Sequence, residues 1–152
     1  MVAFFGVYVV GKMLFVRDRK RRQRESLMDI SYEIDADKRL LIATWGGRHD
    51  PLFVQNYVNT LMADKSLVPG LNYLSDQRNL KTTPTSVSIE TGVVFLEMLM
   101  NKLGPFKYGI VSVKPNTYDL DLMRSLMPHL TGVQVQEFTD MDQALDWLAE
   151  EV

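Results

Sequence analysis

The chain has no cysteine and two histidines, His49 and His129, and this limits the chemistry open to it. Disulfide scaffolds, thiolate zinc sites and cysteine nucleophiles are excluded. The two histidines are far apart and have no companion ligands at metal-binding spacing, so neither a metal site nor a cofactor is expected. One catalytic constellation can be written: His49 as general base, Asp50 or Asp76 as its orienter, and Ser75 as nucleophile. No glycine-flanked elbow surrounds Ser75, however, and it falls within a strand pattern. Gly46-Gly47 alone is too little for a phosphate loop or a dinucleotide fingerprint. A small enzyme using His49 and the strand-end loops is therefore the alternative reading.

The other candidates are charges that follow apolar strand patterns. Arg48 and His49 come after one such pattern, Asp76 and Arg78 after the next, and Lys114 after a third. Open α/β sheets bind ligands at the carboxyl ends of their strands. If these loops converge, Arg48, Arg78 and Lys114 could hold an anion near the helix N-terminus opened by Asp50 or Asn116. The plainer reading, favoured because single basic residues are common in loops, is solvated charge with Asp76 and Arg78 as a local pair. Met62, Met98, Met100, Met123, Met127 and Met141 invite a pocket reading, since thioethers adapt to irregular apolar ligands. At helical spacing they more often fill core.

The elements that must position these residues are legible from periodicity. Asp29–Ile34 alternates apolar Ile30, Tyr32 and Ile34 with polar neighbours, a half-buried strand. Leu40–Trp45 is its hairpin partner across the turn residues 35–38. Asp50-Pro51 opens a helix, with the carboxylate as N-cap and proline at the first position. Its apolar stripe runs through Leu52, Phe53, Val54, Tyr57, Val58, Leu61 and Met62. A short strand spans 71–75, followed by a polar stretch from Asp76 to Ser86. A second helix covers about 88–102 and is stopped by Gly104-Pro105. Tyr108–Val113 is apolar enough for a central strand. A third helix carries Leu120, Met123, Leu126 and Met127. Val133, Val135 and Phe138 frame a fifth strand, and Thr139 with Asp142 approximates a capping box for the last helix. The order ββαβαβαβα implies a five-stranded, mostly parallel mixed sheet with one antiparallel hairpin, covered by helices.

The chain has 152 residues, 46% apolar and 24% charged, which suits one globular domain with a sizeable core. Its net charge of −2 hides an asymmetry. Residues 1–27 hold seven Lys/Arg against two acidic residues, a charge of +5; the remainder holds ten against 17, or −7. An acidic body with one basic run is not a nucleic-acid-binding domain. Val2–Val16 is apolar apart from Lys12, but as a helix it would reach only about 22 Å against a hydrocarbon core of roughly 30 Å. The basic run follows the apolar one, which reverses the order of a secretory signal. Residues 1–27 therefore read either as a weak membrane anchor making contact through residues 2–24, or as an extension outside the domain. Both readings place residues 28–152 in the cytoplasm.

Three segments resemble the SpoIIAA-like group of small bacterial proteins, related to STAS domains and sometimes likened to Sec14. Asp64–Asp76 resembles the proline-glycine entry to a strand ending in aspartate, with Arg78 following. Tyr108–Val113 resembles the central strand. Phe138–Leu148 resembles the closing segment, a strand-end phenylalanine before a helix holding alanine and Trp-Leu. The resemblance covers residues 28–152 and implies a STAS-like fold. It also implies a non-catalytic binding or regulatory module, acting through a protein partner or a small anionic or apolar ligand. One departure bears on mechanism. Anti-sigma antagonists carry an Asp-Ser-Ser-Gly-like motif whose first serine is phosphorylated. Here the nearest comparable residues are Ile89-Glu90-Thr91-Gly92, so a fixed negative charge stands where the switch belongs.

The second helix carries more apolar surface than one sheet face can cover. If Val93, Leu96, Met100 and Leu103 pack on the sheet, then Phe95, Leu99 and Met98 face outward. The expectation is a homodimer through those three residues, and the competing account is burial inside the monomer.

Overall fold

The computed structural model describes residues 28–81, 86–114, 117–128 and 130–150. The N-terminal segment 1–27, Asn116 and His129 lie outside the described residues. Among the described residues, no helix is long and apolar enough to cross a membrane.

Strand β1 (Asp29–Asp35) pairs antiparallel with β2 (Leu40–Gly47), and their register joins Ile30 to Trp45 and Tyr32 to Ala43. Lys38 N donates to Asp35 Oδ1 at 3.1 Å inside the turn, the local bond that aspartate makes readily there. Helix α1 (Pro51–Met62) begins as its sequence dictates. Asp50 is the N-cap and accepts from Leu52 N at 3.0 Å, and Pro51 fills the first turn, where a missing N–H costs nothing.

The remaining elements alternate: β3 (Asn72–Leu80), α2 (Ser86–Leu103), β4 (Phe106–Val111), α3 (Thr117–Ser125), β5 (Val133–Phe138) and α4 (Met141–Ala149). The sheet order is β1-β2-β3-β4-β5, parallel from β2 onward. Every residue of β4 is buried, because it lies between two strands and is covered on both faces.

Several boundaries differ from the sequence expectation. The polar residues 76–80 are not a loop but the second half of β3. Backbone pairing carries them: beyond a register shift at Thr44/Gly46, Asn79 and Leu80 pair with Gly46 and Gly47, and Lys81 N reaches Gly47 O at 2.9 Å. Edge-to-edge hydrogen bonding does not require apolar side chains, so hydrophobic alternation could not report it. The N-cap of α4 is Asp140 rather than Thr139; its carboxylate accepts from Asp142 N at 2.8 Å and Gln143 N at 3.3 Å. Leu52, counted in the α1 stripe, is 67% exposed because it sits in the first turn, ahead of the helix's contact with the sheet.

The two faces of the sheet are covered differently. One carries the main core, in which Ile30, Tyr32, Leu41, Tyr73 and Tyr108 meet the apolar sides of α1, α2 and α3. The other carries α4 alone, packing Ala144 and Leu148 onto Leu40, Leu74, Val111 and Phe138. Gly109 in β4 permits this approach: a Cβ there would lie 3.4 Å from both Leu148 Cδ1 and Leu74 Cδ1.

Helix α2 overturns the expected outward stripe. Phe95 and Leu99 are 8% and 0% exposed. Phe95 lies 5.7 Å from the Tyr57 ring and 5.9 Å from the Tyr73 ring. The helix is wedged between the sheet and its neighbouring helices, so its buried arc is wider than one sheet face would demand. Self-association through Phe95 and Leu99 thereby loses its contact surface. Among the described side chains of α2, the large apolar ones left facing outward are Val94 and Met98.

Candidate functional site

A cavity of about 340 Å³ opens between the core face of the sheet and helices α1, α2 and α3, toward the carboxyl ends of β3 and β4. Its volume is at the lower end of the roughly 300–1,000 Å³ of small-molecule sites.

The walls follow from strand alternation. Side chains at 73, 75 and 77 of β3 and at 108 and 110 of β4 project to one face. The register sets Tyr73 beside Tyr108, and their rings stack with centroids 4.7 Å apart and planes 8° from parallel. Phe95 of α2 meets Tyr73 edge-on, and Trp45 of β2 meets Tyr57 edge-on at 5.1 Å. Trp45, Tyr73, Phe95 and Tyr108 all line the cavity, with Ile89 and Met123 completing apolar parts of the wall.

Beneath these rings lie buried hydroxyls. Tyr57 Oη and Tyr73 Oη are 3.3 Å apart, and Gln77 Nε2 donates to Ser75 Oγ at 3.0 Å. Burial pushes the Tyr108 phenol up to about 12, with the nearby Glu137 charge acting in the same direction. Burial, which disfavours the charged phenolate, raises Tyr57 and Tyr73 further. These phenols therefore remain protonated at neutral pH and act as neutral hydrogen-bonding groups rather than bases.

The charged candidates separate into three groups. His49, Arg78 and Lys114 line the cavity. Lys114 and His49 are exposed at its edge. Arg48 is exposed on the segment after β2 and is not part of the lining. Asp76 is buried, 7% exposed, and is engaged by Arg78 in a two-point pair: Nε donates to Oδ1 and Nη2 to Oδ2, both at 2.9 Å. The Arg78 hydrogen bonds hold the Asp76 carboxyl below the usual carboxylate range, and the Arg78 pKa rises reciprocally. The local-pair reading of these two residues is the one the geometry supports, although they lie within β3 rather than after it. Arg78 still reaches the cavity because β4 ends opposite Asp76, leaving the last residues of β3 without a neighbour on that side.

The hydrolytic constellation does not assemble around Ser75. The residue is fully buried within β3, and its hydroxyl accepts from Gln77 Nε2. Asp50 caps α1 and Asp76 holds Arg78. Glu90 and Thr91 are exposed on α2, which begins at Ser86, so Glu90 sits a turn into the helix rather than at its start.

Sequence reasoning missed Trp45, Tyr73 and Tyr108 as cavity residues because alternation reads them as core, and Gln77 because it falls in the polar stretch after the short strand. One available signal was the run of polar-tipped aromatics at buried positions, since buried Tyr and Trp need hydrogen-bond partners. Trp45 lacks one: among the described residues, its Nε1 is the buried side-chain nitrogen or oxygen without an acceptor or donor.

Comparison with solved structures shows where the fold belongs. An anti-sigma factor antagonist from Mycobacterium paratuberculosis superposes with a TM-score of 0.53 at 16% identity, covering 82% of this chain and 97% of that one. An uncharacterised protein with a SpoIIAA-like fold from Shewanella loihica PV-4 gives 0.50 at 17% identity, covering 80% and 93%. No family model matches the sequence, and no curated protein matches it. The chain has a STAS/SpoIIAA-like fold, an α/β domain with a mixed, mostly parallel five-stranded sheet.

Proposed function

We propose that this domain is a non-catalytic regulatory module that works by binding, and that its strand-end cavity takes a small organic ligand with an apolar body and an acidic group. The observation that carries this reading is the 340 Å³ cavity itself, walled by aromatic and aliphatic side chains and bordered by Lys114, His49 and Arg78. Such a combination suits an amphipathic molecule, because apolar walls supply affinity and a few polar groups fix orientation. Arg78 is already neutralised by Asp76, which leaves Lys114 as the cation best placed to meet an anionic group.

The likeness in fold to a protein named an anti-sigma factor antagonist supports a role exercised on another protein. In this reading, ligand occupancy beneath α2 sets what a protein partner meets on the exposed side of that helix, at Glu90, Val94 and Met98. Glu90 contributes a constant charge there, so control passes to the ligand rather than to a phosphorylated hydroxyl.

Native mass spectrometry of the purified chain, followed by thermal unfolding with a panel of small aromatic and aliphatic carboxylates, tests the reading. The expected result is a retained or added small molecule and a rise in Tm. Ligand at 100 times its Kd stabilises the folded state by about 2.7 kcal/mol. A chain that retains nothing and is stabilised by no member of the panel overturns the reading. So does turnover of any such compound.

A further inference from the structure

Four features of the cavity are independent of its charged rim. It holds four aromatic side chains from four elements, Trp45 of β2, Tyr73 of β3, Tyr108 of β4 and Phe95 of α2. Two of these, Tyr73 and Tyr108, already stack face to face. The Tyr73 hydroxyl is paired with that of Tyr57. Trp45 alone among them has a buried polar atom, Nε1, with no partner.

An orphaned buried N–H is costly, because folding strips its water and returns nothing. Indole nitrogen is a donor only, so the missing partner must be an acceptor. The sheet hydrogen bonds of β2 occupy the nearby backbone, where Trp45 stands opposite Ile30 and the strand shifts register between Thr44 and Gly46. The indole ring is fixed from the other side by its edge-on contact with Tyr57. Trp45 lines the cavity, so a molecule filling it, water or an organic ligand, can supply the acceptor.

We infer that Trp45 is the specificity-determining donor of the cavity: its Nε1–H donates to an oxygen acceptor on a small aromatic ligand whose ring packs among Tyr73, Phe95 and Tyr108. This rests on the ligand-binding reading above and narrows it to aromatic compounds bearing a carboxylate or carbonyl oxygen. Aromatic walls favour a flat ring over a flexible alkyl chain, since a ring gains offset or edge contacts with each neighbour and loses less conformational freedom on binding.

The test uses the full chain with 2-naphthoate as probe and naphthalene as the probe without an acceptor. The two tryptophans, Trp45 and Trp147, give two indole N–H resonances, assigned with a Trp147→Phe variant. Trp147 packs against Phe138 on the opposite face of the sheet and serves as internal reference. On adding 2-naphthoate, the Trp45 indole proton is expected to move downfield and its exchange with solvent to slow, while Trp147 stays in place. Calorimetry is expected to show Trp45→Phe weakening 2-naphthoate about tenfold and leaving naphthalene within twofold. Binding of 2-naphthoate with an unmoved Trp45 resonance overturns the inference and leaves the cavity reading standing. So does equal affinity for the Trp45→Phe variant. Failure of both probes to bind the unsubstituted chain overturns the inference together with the reading it rests on. The resonance shift needs no substitution at Trp45, so poor folding of the variant does not remove the test.

Discussion

The two faces of the sheet solve the same packing problem to different degrees. On the α4 face the helix is tied at both ends. Asp140 caps its N-terminus, and the buried Lys107 reaches its C-terminus, where Nζ donates to Trp147 O at 2.9 Å and Glu150 O at 2.7 Å. Negative charge at the first turn and positive charge at the last both oppose the helix dipole favourably. Asn72 joins the same system, donating to Leu148 O at 3.0 Å and accepting from Lys107 N at 2.9 Å. Lys107 also stands 5.3 Å from the Trp147 ring centre. On the opposite face three helices share the work and leave a cavity with an unpartnered indole N–H. One small helix can be seated fully by matching its ends. Three helices converging on aromatic side chains leave space, because rigid rings do not interdigitate as aliphatic groups do. The closed face holds the fold, and the open face carries the cavity proposed to bind.

Truncations of similar size on the two faces sharpen this contrast. Leu148→Ala empties a tightly filled site against Gly109 and Leu74 and is expected to cost about 3 kcal/mol. Ile89→Ala, at the cavity wall, removes fewer contacts and is expected to cost nearer 2 kcal/mol. Urea unfolding measures both; equal losses would show that the cavity wall is packed as tightly as the α4 face. Lys107→Met keeps most of the side chain's bulk but strips two helix-end carbonyls of their donor. A loss of about 2 kcal/mol is expected, with faster amide exchange confined to the end of α4. Unchanged stability would mean that water replaces the ammonium there.

The helix caps should contribute about equally on both faces. Asp140→Ala and Asp50→Ala are each expected to lower stability by about 1 kcal/mol. Asp50→Ala should leave ligand binding intact, and a binding loss without a stability loss would move Asp50 from cap to site. The smallest effect belongs to Asp76. Arg78 depresses its folded pKa below the unfolded value, so the pair contributes stability above the unfolded carboxylate range. That contribution is lost as pH falls through the folded pKa. Because the Arg78 side chain is half-exposed, solvent screens the pair and the effect should remain below about 1 kcal/mol. Tm measured from pH 5 downward should fall less steeply in Asp76→Asn than in the unsubstituted chain. Parallel curves would remove the pair from the acid response.

Much of this architecture was readable residue by residue. The alternation of Ile30, Tyr32 and Ile34, the Asp50-Pro51 helix start and the Gly104 stop are local signals. Gly104 is a helix end for a local reason too: its φ of 74° suits glycine, and its N–H bonds Met100 O at 2.9 Å. The parallel sheet followed from crossovers between strands, while the general rule for strand ends pointed to the loops without telling that His49, Arg78 and Lys114 would line the cavity and Arg48 would not. Three features were not local. The second half of β3 is polar and forms because β2 offers backbone partners across a register shift. Phe95 and Leu99 turn inward because α2 meets neighbours on more than one side. Lys107, a charged residue in a central strand, is buried because a helix 40 positions later in the chain ends over it.

The sequence by itself thus determined the order of strands and helices and the cap of α1, which depend on contacts within a few residues, and the mixed parallel sheet, which the crossovers between strands imply. Tertiary structure alone decided which apolar side chains close the core and which line a cavity. It also decided which polar groups find partners, since Trp45 and Tyr73 both pack against Tyr57 yet only Tyr73 meets its hydroxyl, at 3.3 Å. The physical reason is that periodicity assigns a side chain to a face, while the volume and hydrogen-bonding groups waiting there are set by elements far away in the chain.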